Sequence, residues 1–463
     1  MSTGGRVDES GILERLEERF AHAILAWVGA DGYPISVATG FRVARERGVV
    51  QLDAVATGGE APPLDREVSV VFSHIRPQPG VGYDERRWVS YWGRLRPVPS
   101  GYEFTPESAR GWDEQQMPFF EYSERTVPQA RRYFERISAE RGRRVKPRLA
   151  FGWLFLRATR LPFLTATFVP VALGVAVAAR DGVFEWRLAL LTLLGAAFVH
   201  LGVNVANDVF DTLSGADEAN VNPTQFSGGS RVILYGLLSM RQMVAMMAAF
   251  YAGAVAIGLY LAVTRGFWPL VGIGAAGVFL SIWYTAPPLR LVHRGLGELC
   301  VALGFGPVMV LGAHYVQAQR FSGEALFVSL PVAILIALVL YVNEIPDRPA
   351  DAAAGKRTLP VRLSREAVLR VYAIAVTAVF ALVAGGAVSG LLPRLTLIAL
   401  ATIPLAIKVY RGARDHYDGP YALMPFMGTG VQLHLFTGLL LLVAYGVTIA
   451  AGHVMDAPPA LLR

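Results

Sequence analysis

From about Phe151 onward the chain is a succession of apolar runs separated by short polar loops. A run of roughly 18 or more apolar residues crosses a bilayer as a helix, because only a helix or a closed barrel satisfies its own backbone in lipid. Nine such runs are predicted, at about 161–179, 188–207, 242–263, 267–285, 296–316, 325–343, 367–390, 394–409 and 431–451. The eighth, ending in "IPLAIKVY", is the shortest and most interrupted. The whole-chain balance agrees: 53% of the 463 residues are hydrophobic and 17% charged, with a mean hydropathy of +0.41.

Charge is unevenly placed. Alternate loops carry the basic residues: "GRRVKPR", Arg231, "PPLRLVHRG", "GKRTLPVRLSR" and "KVYRGAR" fall on one side. The other side has scattered arginines such as Arg180, Arg187, Arg265 and Arg320. The positive-inside rule therefore puts the first side and the N-terminal region in the cytoplasm and the C-terminus outside. The net charge of +7 belongs to these loops, beside an anionic lipid surface, and no basic-aromatic pattern suggests nucleic acid. The first twenty residues contain no apolar signal segment, so the first span is expected to act as its own insertion signal. The single cysteine, Cys300, excludes an internal disulfide and a thiolate metal cluster.

Residues 8–140 read as a soluble α+β region. "ILERLEERFAHA" predicts a helix with Ile12, Leu16, Phe20 and Ala23 on one face. "AILAWVGADGYPISVATGF", "GVVQLDAV", "EVSVVFSHI", "RWVSYWGRLRPV" and "GYEFTP" predict strands of a small antiparallel barrel, with "ADG" closing a hairpin. "PESARGWDEQQMPFFEYS" and "VPQARRYFERISAERGRRVK" predict trailing helices. The expected division is a soluble domain over 1–145 and a membrane domain over 146–463.

Two polar clusters break the apolar pattern. At the end of the second run, Asn204, Asn207, Asp208 and Asp211 are spaced i, i+3, i+4, i+7 on one helix face, with Asp217 beyond a turn. After the sixth run come Asn343, Asp347 and Asp351, spaced i, i+4, i+8, then Lys356 and Arg357. Pro346 and Pro349 argue against an unbroken helix there. Two acidic clusters on one side of a membrane repel in low dielectric, so something positive must lie between them. Carboxylate and amide oxygens suit Mg²⁺, which keeps positions open for phosphate oxygens, and Lys or Arg can complete the cage. The arrangement points to a diphosphate whose apolar tail lies among the helices. A cation-coupled transporter would place such groups near the midplane instead.

"NDVFDTLSGAD" and "NEIPDRPADAAAGKRTLPVRL" resemble the two aspartate-rich motifs of the UbiA superfamily of intramembrane prenyltransferases. "RATRLPFLTATFVPVALG", "FSGGSRVILYGLLS" and "YTAPPLRL" with "GLGELCVALGFGPVMVLGAHYVQ" are similar to further segments of that superfamily, especially in 1,4-dihydroxy-2-naphthoate prenyltransferases. "NEIPD" stands where those enzymes more often have a second asparagine and a basic residue. The resemblance covers about Leu154 to Gly452. It implies an all-α fold of about nine transmembrane helices around a cavity, transferring a polyprenyl group from its diphosphate to an aromatic quinone precursor in the lipid bilayer. It implies Mg²⁺ at Asn207, Asp208 and Asp211 with Asp217 supporting, and at Asp347 and Asp351 helped by Asn343. Asn204, Lys356, Arg231, Arg290 and Arg357 would serve the diphosphate, and Arg157 matches an arginine near the acceptor end. Asp208, Asp211, Asp347, Asp351 and Lys356 would carry catalysis. Tyr284, Trp283, Tyr315 and Tyr341 are candidates for the cavity wall, and His200, His314 and His434 for proton uptake. A terpene cyclase of the same superfamily would share the motifs without an acceptor.

The strand pattern of residues 22–98 resembles the pyridoxamine-phosphate-oxidase-like split barrel, many of whose members bind flavin. This implies FMN held by Arg66 and Ser69, or else a cofactor-free docking or homodimerisation module. A flavin oxidoreductase anchored by an inert membrane domain is the remaining alternative.

Overall fold

The computed structural model describes residues 15–54, 60–78, 82–143, 145, 149–220 and 222–455. They form two compact units that divide after Arg125.

The first unit is a curled, seven-stranded antiparallel sheet in the order β2-β1-β5-β6-β7-β4-β3. The strands are β1 (Ala23–Val28), β2 (Pro34–Thr39), β3 (Phe41–Ala44), β4 (Val49–Asp53), β5 (Val68–Gln78), β6 (Gly82–Val98) and β7 (Gly101–Asp113). The β1–β2 turn forms as expected: Gly32 N donates to Gly29 O at 3.0 Å, and Tyr33 N to the Asp31 carboxylate at 3.0 Å. Alternate apolar residues of the strands fill the inner face, where Leu25, Val50, Val70, Phe72 and Phe104 are fully buried. Phe72 anchors that core, with Phe41 edge-on at 4.8 Å and Tyr91 at 6.0 Å.

Two expectations for this unit fail. The first helix is a single turn, Leu16–Arg19. Phe20 turns extended and buries against the sheet while Ala23 opens β1; Ile12 lies outside the described residues. "PESARGWD" is strand rather than helix, because it extends β7 in register with β6, Ser108 opposite Trp92 and Trp112 opposite Trp88. Sheet pairing there overrides local composition. One helix, Phe119–Glu140, follows in place of the two trailing ones.

In the second unit, nine helices among the described residues are long and apolar enough to cross a membrane, and the protein is an integral membrane protein. We number them spans 1–9: Leu161–Arg180, Trp186–Ser214, Met240–Arg265, Phe267–Thr285, Gly297–Ala318, Gly323–Ala353, Arg365–Ser389, Arg394–Asp415 and Pro420–Ala451. Span 6 is the most buried and takes part in both large cores. One joins it to spans 7, 8 and 9 around Tyr341, Tyr372 and Leu423. The other joins it to spans 1, 5 and 9 around Leu173, Val310 and Tyr445. Spans 1 and 5 approach so closely that a Cβ on Gly174 would lie 2.3 Å from the Val310 carbonyl. Span 8 is a 3₁₀ segment, Arg394–Thr402, continuing as an α-helix, which accounts for its irregular sequence.

The difference that matters for function lies at the ends of spans 2 and 6. Both helices run past the apolar segment, to Ser214 and Ala353, so the acidic motifs are helical. Span 6 continues through Pro346 and Pro349. The prolines remove donors without ending the helix, which stays packed at Ile345, Pro346, Ala350 and Asp351 while Pro349 faces outward. Asn343, Asp347 and Asp351 therefore do share one face.

Candidate functional site

The site is assembled where span 2, span 6, the loop 215–239 and the turn before span 1 meet. Asp208 is 1% exposed, on the last turns of span 2. Its carboxylate accepts from the Ser230 N–H at 3.1 Å and from the Ser230 hydroxyl, and it pairs with Arg160. Arg160 also donates to the Asn207 side-chain carbonyl at 3.1 Å. One turn on, Asp211 accepts from Asn207 Nδ2 at 3.0 Å. Thr212 donates to Asp217 at 3.1 Å. Burial pushes the Asp217 carboxyl up to about 7, with Asp211 and Asp208 adding to the shift.

The second motif reaches the first through one lysine. Lys356 Nζ is 2.9 Å from Asp211 and 3.7 Å from Asp351, and all three side chains are about nine-tenths buried. Burial opposes the Lys356 charge, but Asp211 and Asp351 outweigh it and hold the ammonium above its ordinary range. Asp347 accepts from Asn220 Nδ2 at 2.8 Å and from Gly228 N at 3.0 Å, which ties span 6 to the loop that follows span 2. The positive charge required between the clusters is thus supplied by the chain itself.

The loop is shaped for this. Gly229 is left-handed, with φ +73°, and a Cβ there would lie 3.0 Å from the Asp217 carboxylate and 3.2 Å from that of Asp208. Arg160 and Arg231 also have left-handed backbones, at φ 52° and 57°, uncommon for a side chain of this size.

The remaining expected residues divide. Arg231 is buried, but it donates to the carbonyls of Asp217 and Asn220, so it braces the loop. Arg157 Nε donates to the Ser230 carbonyl at 2.9 Å, with its guanidinium over Trp153 and Tyr235. Asn204 Nδ2 donates to the Thr159 carbonyl at 2.9 Å. Asn343 is buried, and its side-chain oxygen meets no donor. Arg290 and Arg357 are exposed, and the Arg357 N–H donates to the His293 carbonyl. In the sheet unit, exposed Arg66 donates to the Val28 carbonyl, and Ser69 sits on β5 opposite Trp92.

Of the aromatic candidates, Tyr341 is a core residue whose hydroxyl donates to the Val368 carbonyl. Tyr315 packs against Phe321, and Trp283 against Phe279. His200 bonds Thr167 at 2.8 Å, and His314 the Arg320 carbonyl at 3.0 Å. The sequence reading missed Arg160, Asn220, Ser230 and the glycine pair 228–229. "RATRLP" offers two arginines three apart, and only the fold shows which one meets Asp208.

The donor set of amide and carboxylate oxygens suits a hard divalent cation. As they stand, no three acidic, His or Cys side chains among the described residues converge on one point. Arg160 and Lys356 pair with the carboxylates instead.

Comparison with known proteins settles the family. The UbiA prenyltransferase family matches residues 167–430, more than half of the chain and both acidic motifs. The chain belongs to that family. The 2-carboxy-1,4-naphthoquinone phytyltransferase of Synechocystis sp. is 30% identical over 63% of this chain and 93% of its own length. The 1,4-dihydroxy-2-naphthoate octaprenyltransferase of Mycobacterium tuberculosis is 32% identical over 58% of this chain and 89% of its own. A UbiA homolog from Archaeoglobus fulgidus, solved bound to GPP and Mg²⁺, is 17% identical, covering 62% of this chain and 99% of its own, with a TM-score of 0.45.

Proposed function

We propose that this UbiA family member transfers a prenyl group from a prenyl diphosphate to a hydroxylated aromatic acceptor of the naphthoate class. The observation that carries the reading is Lys356 lodged between Asp211 and Asp351. Carboxylates buried at the ends of two membrane helices and bridged by a cation fit a diphosphate-binding site better than loop charges. The matched relatives, named as naphthoate prenyl- and phytyltransferases, support the acceptor class.

The oxygens of Asn207, Asp208, Asp211, Asp217, Asp347 and Asp351 would hold Mg²⁺, which when bound neutralises the diphosphate and assists its departure. Arg160 and Lys356, now paired with Asp208 and Asp211, would be the cations available to the phosphate oxygens once those carboxylates are engaged by the metal. Ser230 and the Gly228 N–H hold Asp208 and Asp347 in place meanwhile. The allylic C–O bond breaks with its electron pair leaving on the diphosphate, and the cation forms away from water among the helices. The ring carbon of the acceptor attacks it and then loses a proton, or its carboxyl group as CO₂, to restore the aromatic ring. The basic loops support placing this end of the helices on the cytoplasmic side. FMN binding at Arg66 and Ser69 is a separate reading that rests on the strand pattern of the sequence alone, and Arg66 is engaged with Val28. A purified protein that is colourless and takes up no added FMN would end it.

The central test supplies geranylgeranyl diphosphate, Mg²⁺ and 1,4-dihydroxy-2-naphthoate to the full chain in detergent. Mg²⁺-dependent release of diphosphate together with a prenylated naphthoate is the expected result. No diphosphate release with donors of any chain length overturns the reading.

A further inference from the structure

Spans 5 and 6 carry another pair of carboxyls, outside the two acidic motifs. Glu298, in the first turn of span 5, and Glu344, beside Asn343 in span 6, are neighbours: a Cβ on Gly297, next to Glu298, would lie 3.6 Å from Glu344 Oε1. Glu298 Oε1 and Glu344 Oε2 are buried and meet no donor among the described residues, and Glu344 is only 6% exposed. The pair adjoins the diphosphate site: Glu344 precedes Asp347 and Asp351 by three and seven residues on the same helix, so it stands on their side of span 6.

A second observation points to a ligand there. The hydroxyls of Thr358, next to Leu359, and of Thr285, next to Tyr284, are buried at 1% exposure and meet no partner among the described residues. The side-chain oxygen of Asn343 is in the same state. These residues lie on or beside span 4, the turn after it, span 5, and span 6 with its following turn, and span 5 packs against span 4, the turn after it and span 6. Buried polar groups are almost always satisfied in a native protein, so several orphans on adjoining elements call for a polar molecule that completes them. The diphosphate cannot be that molecule at the glutamates, because it offers acceptors to acceptors.

We propose that Glu298 and Glu344 form the hydroxyl-binding end of the acceptor subsite, where a ring hydroxyl of the aromatic acceptor donates to the carboxyl pair. This rests on the prenyl-transfer reading above. The carboxyl pair, with Asp211 and Asp351 nearby, disfavours an acceptor carboxylate at this end, so the ring enters hydroxyl first with any carboxylate turned away. The hydrogen bond makes the ring more electron-rich where it meets the allylic cation. It also selects the hydroxyarene over an ether, because a site built around hydrogen-bond acceptors is left unpaired when the donor is missing.

The test compares initial rates on 1,4-dihydroxy-2-naphthoate and on its dimethyl ether, with geranylgeranyl diphosphate and Mg²⁺. The proteins are full-length wild type, Glu344→Gln and Glu298→Gln, each checked by thermal unfolding. The wild type is expected to reject the ether. Each variant is expected to lose about tenfold or more in kcat/KM for the hydroxyl acceptor through its KM. Its preference for hydroxyl over ether should narrow, while the KM for the donor stays within about twofold. If one variant fails to fold, the other variant and the wild-type ratio still decide. Unchanged acceptor KM and preference in the folded variants overturn the proposal, as does an equal rise in donor and acceptor KM. A wild type that makes no prenylated product at all overturns instead the reading on which the proposal rests.

Discussion

The two units handle charge in opposite ways. In the sheet unit, pairs such as Arg76 with Asp84 and Arg94 with Glu107 lie at the surface, where water screens them and their loss changes little. In the membrane unit the pairs Lys356–Asp211 and Arg160–Asp208 are buried, where removing the ions from water costs more than their attraction reliably returns. A chain built only for stability would fill those positions with apolar side chains. Charge that is retained against its desolvation cost marks the unit that must recognise a charged substrate.

That contrast can be broken experimentally. The largest effect is expected from Asp208→Ala and Asp347→Ala, each lowering turnover by at least about 10²–10³-fold with the helices still folded. Near-wild-type diphosphate release from either variant would remove that carboxylate from the site. Next comes Lys356→Met, which leaves two buried carboxylates uncompensated and should destabilise the protein by about 3 kcal/mol or more. Its thermal midpoint should recover partly with millimolar Mg²⁺, and a midpoint indifferent to Mg²⁺ would contradict the bridging role. Gly229→Ala, combining a left-handed backbone with a crowded Cβ, should cost activity about tenfold while leaving the sheet unit untouched.

The smallest effect belongs to the sheet unit. The Arg86 guanidinium bonded to Glu114 holds that carboxyl below the usual carboxylate range. A depressed pKa contributes stability that is fully present above the ordinary value and is lost as pH falls through the lowered one. Glu114→Gln should therefore lower stability slightly at neutral pH, where the pair is intact, and flatten the acid side of the unfolding curve below roughly pH 4.5, where wild type loses the same contribution. An acid limb identical to that of wild type would show that the pair has no such role.

What the sequence revealed follows from which rules are local. Membrane spans are set by length and apolarity alone, so all nine were legible, including the irregular eighth. The spacing of Asn207, Asp208 and Asp211 was legible for the same reason, since helix periodicity places them on one face. What escaped depended on distant partners. Pro346 and Pro349 argue for a break that the packing around span 6 prevents. "PESARGWD" becomes strand only because β6 is long enough to pair with it. Arg160 and Arg157 are alike in sequence, and only the left-handed turn before span 1 sends Arg160 to Asp208. Glu298 and Glu344 are 46 positions apart, and no local pattern joins them.

The lysine between the two motifs has a thermodynamic consequence. With Lys356 already neutralising Asp211 and Asp351, a divalent ion binding alone at these carboxylates would have to displace the ammonium. A prenyl diphosphate would give the displaced ammonium a new partner in its oxygens. On the proposed reading, ion and donor then strengthen each other's binding by the same factor, and the site fills by exchanging counter-ions rather than by adding them one at a time.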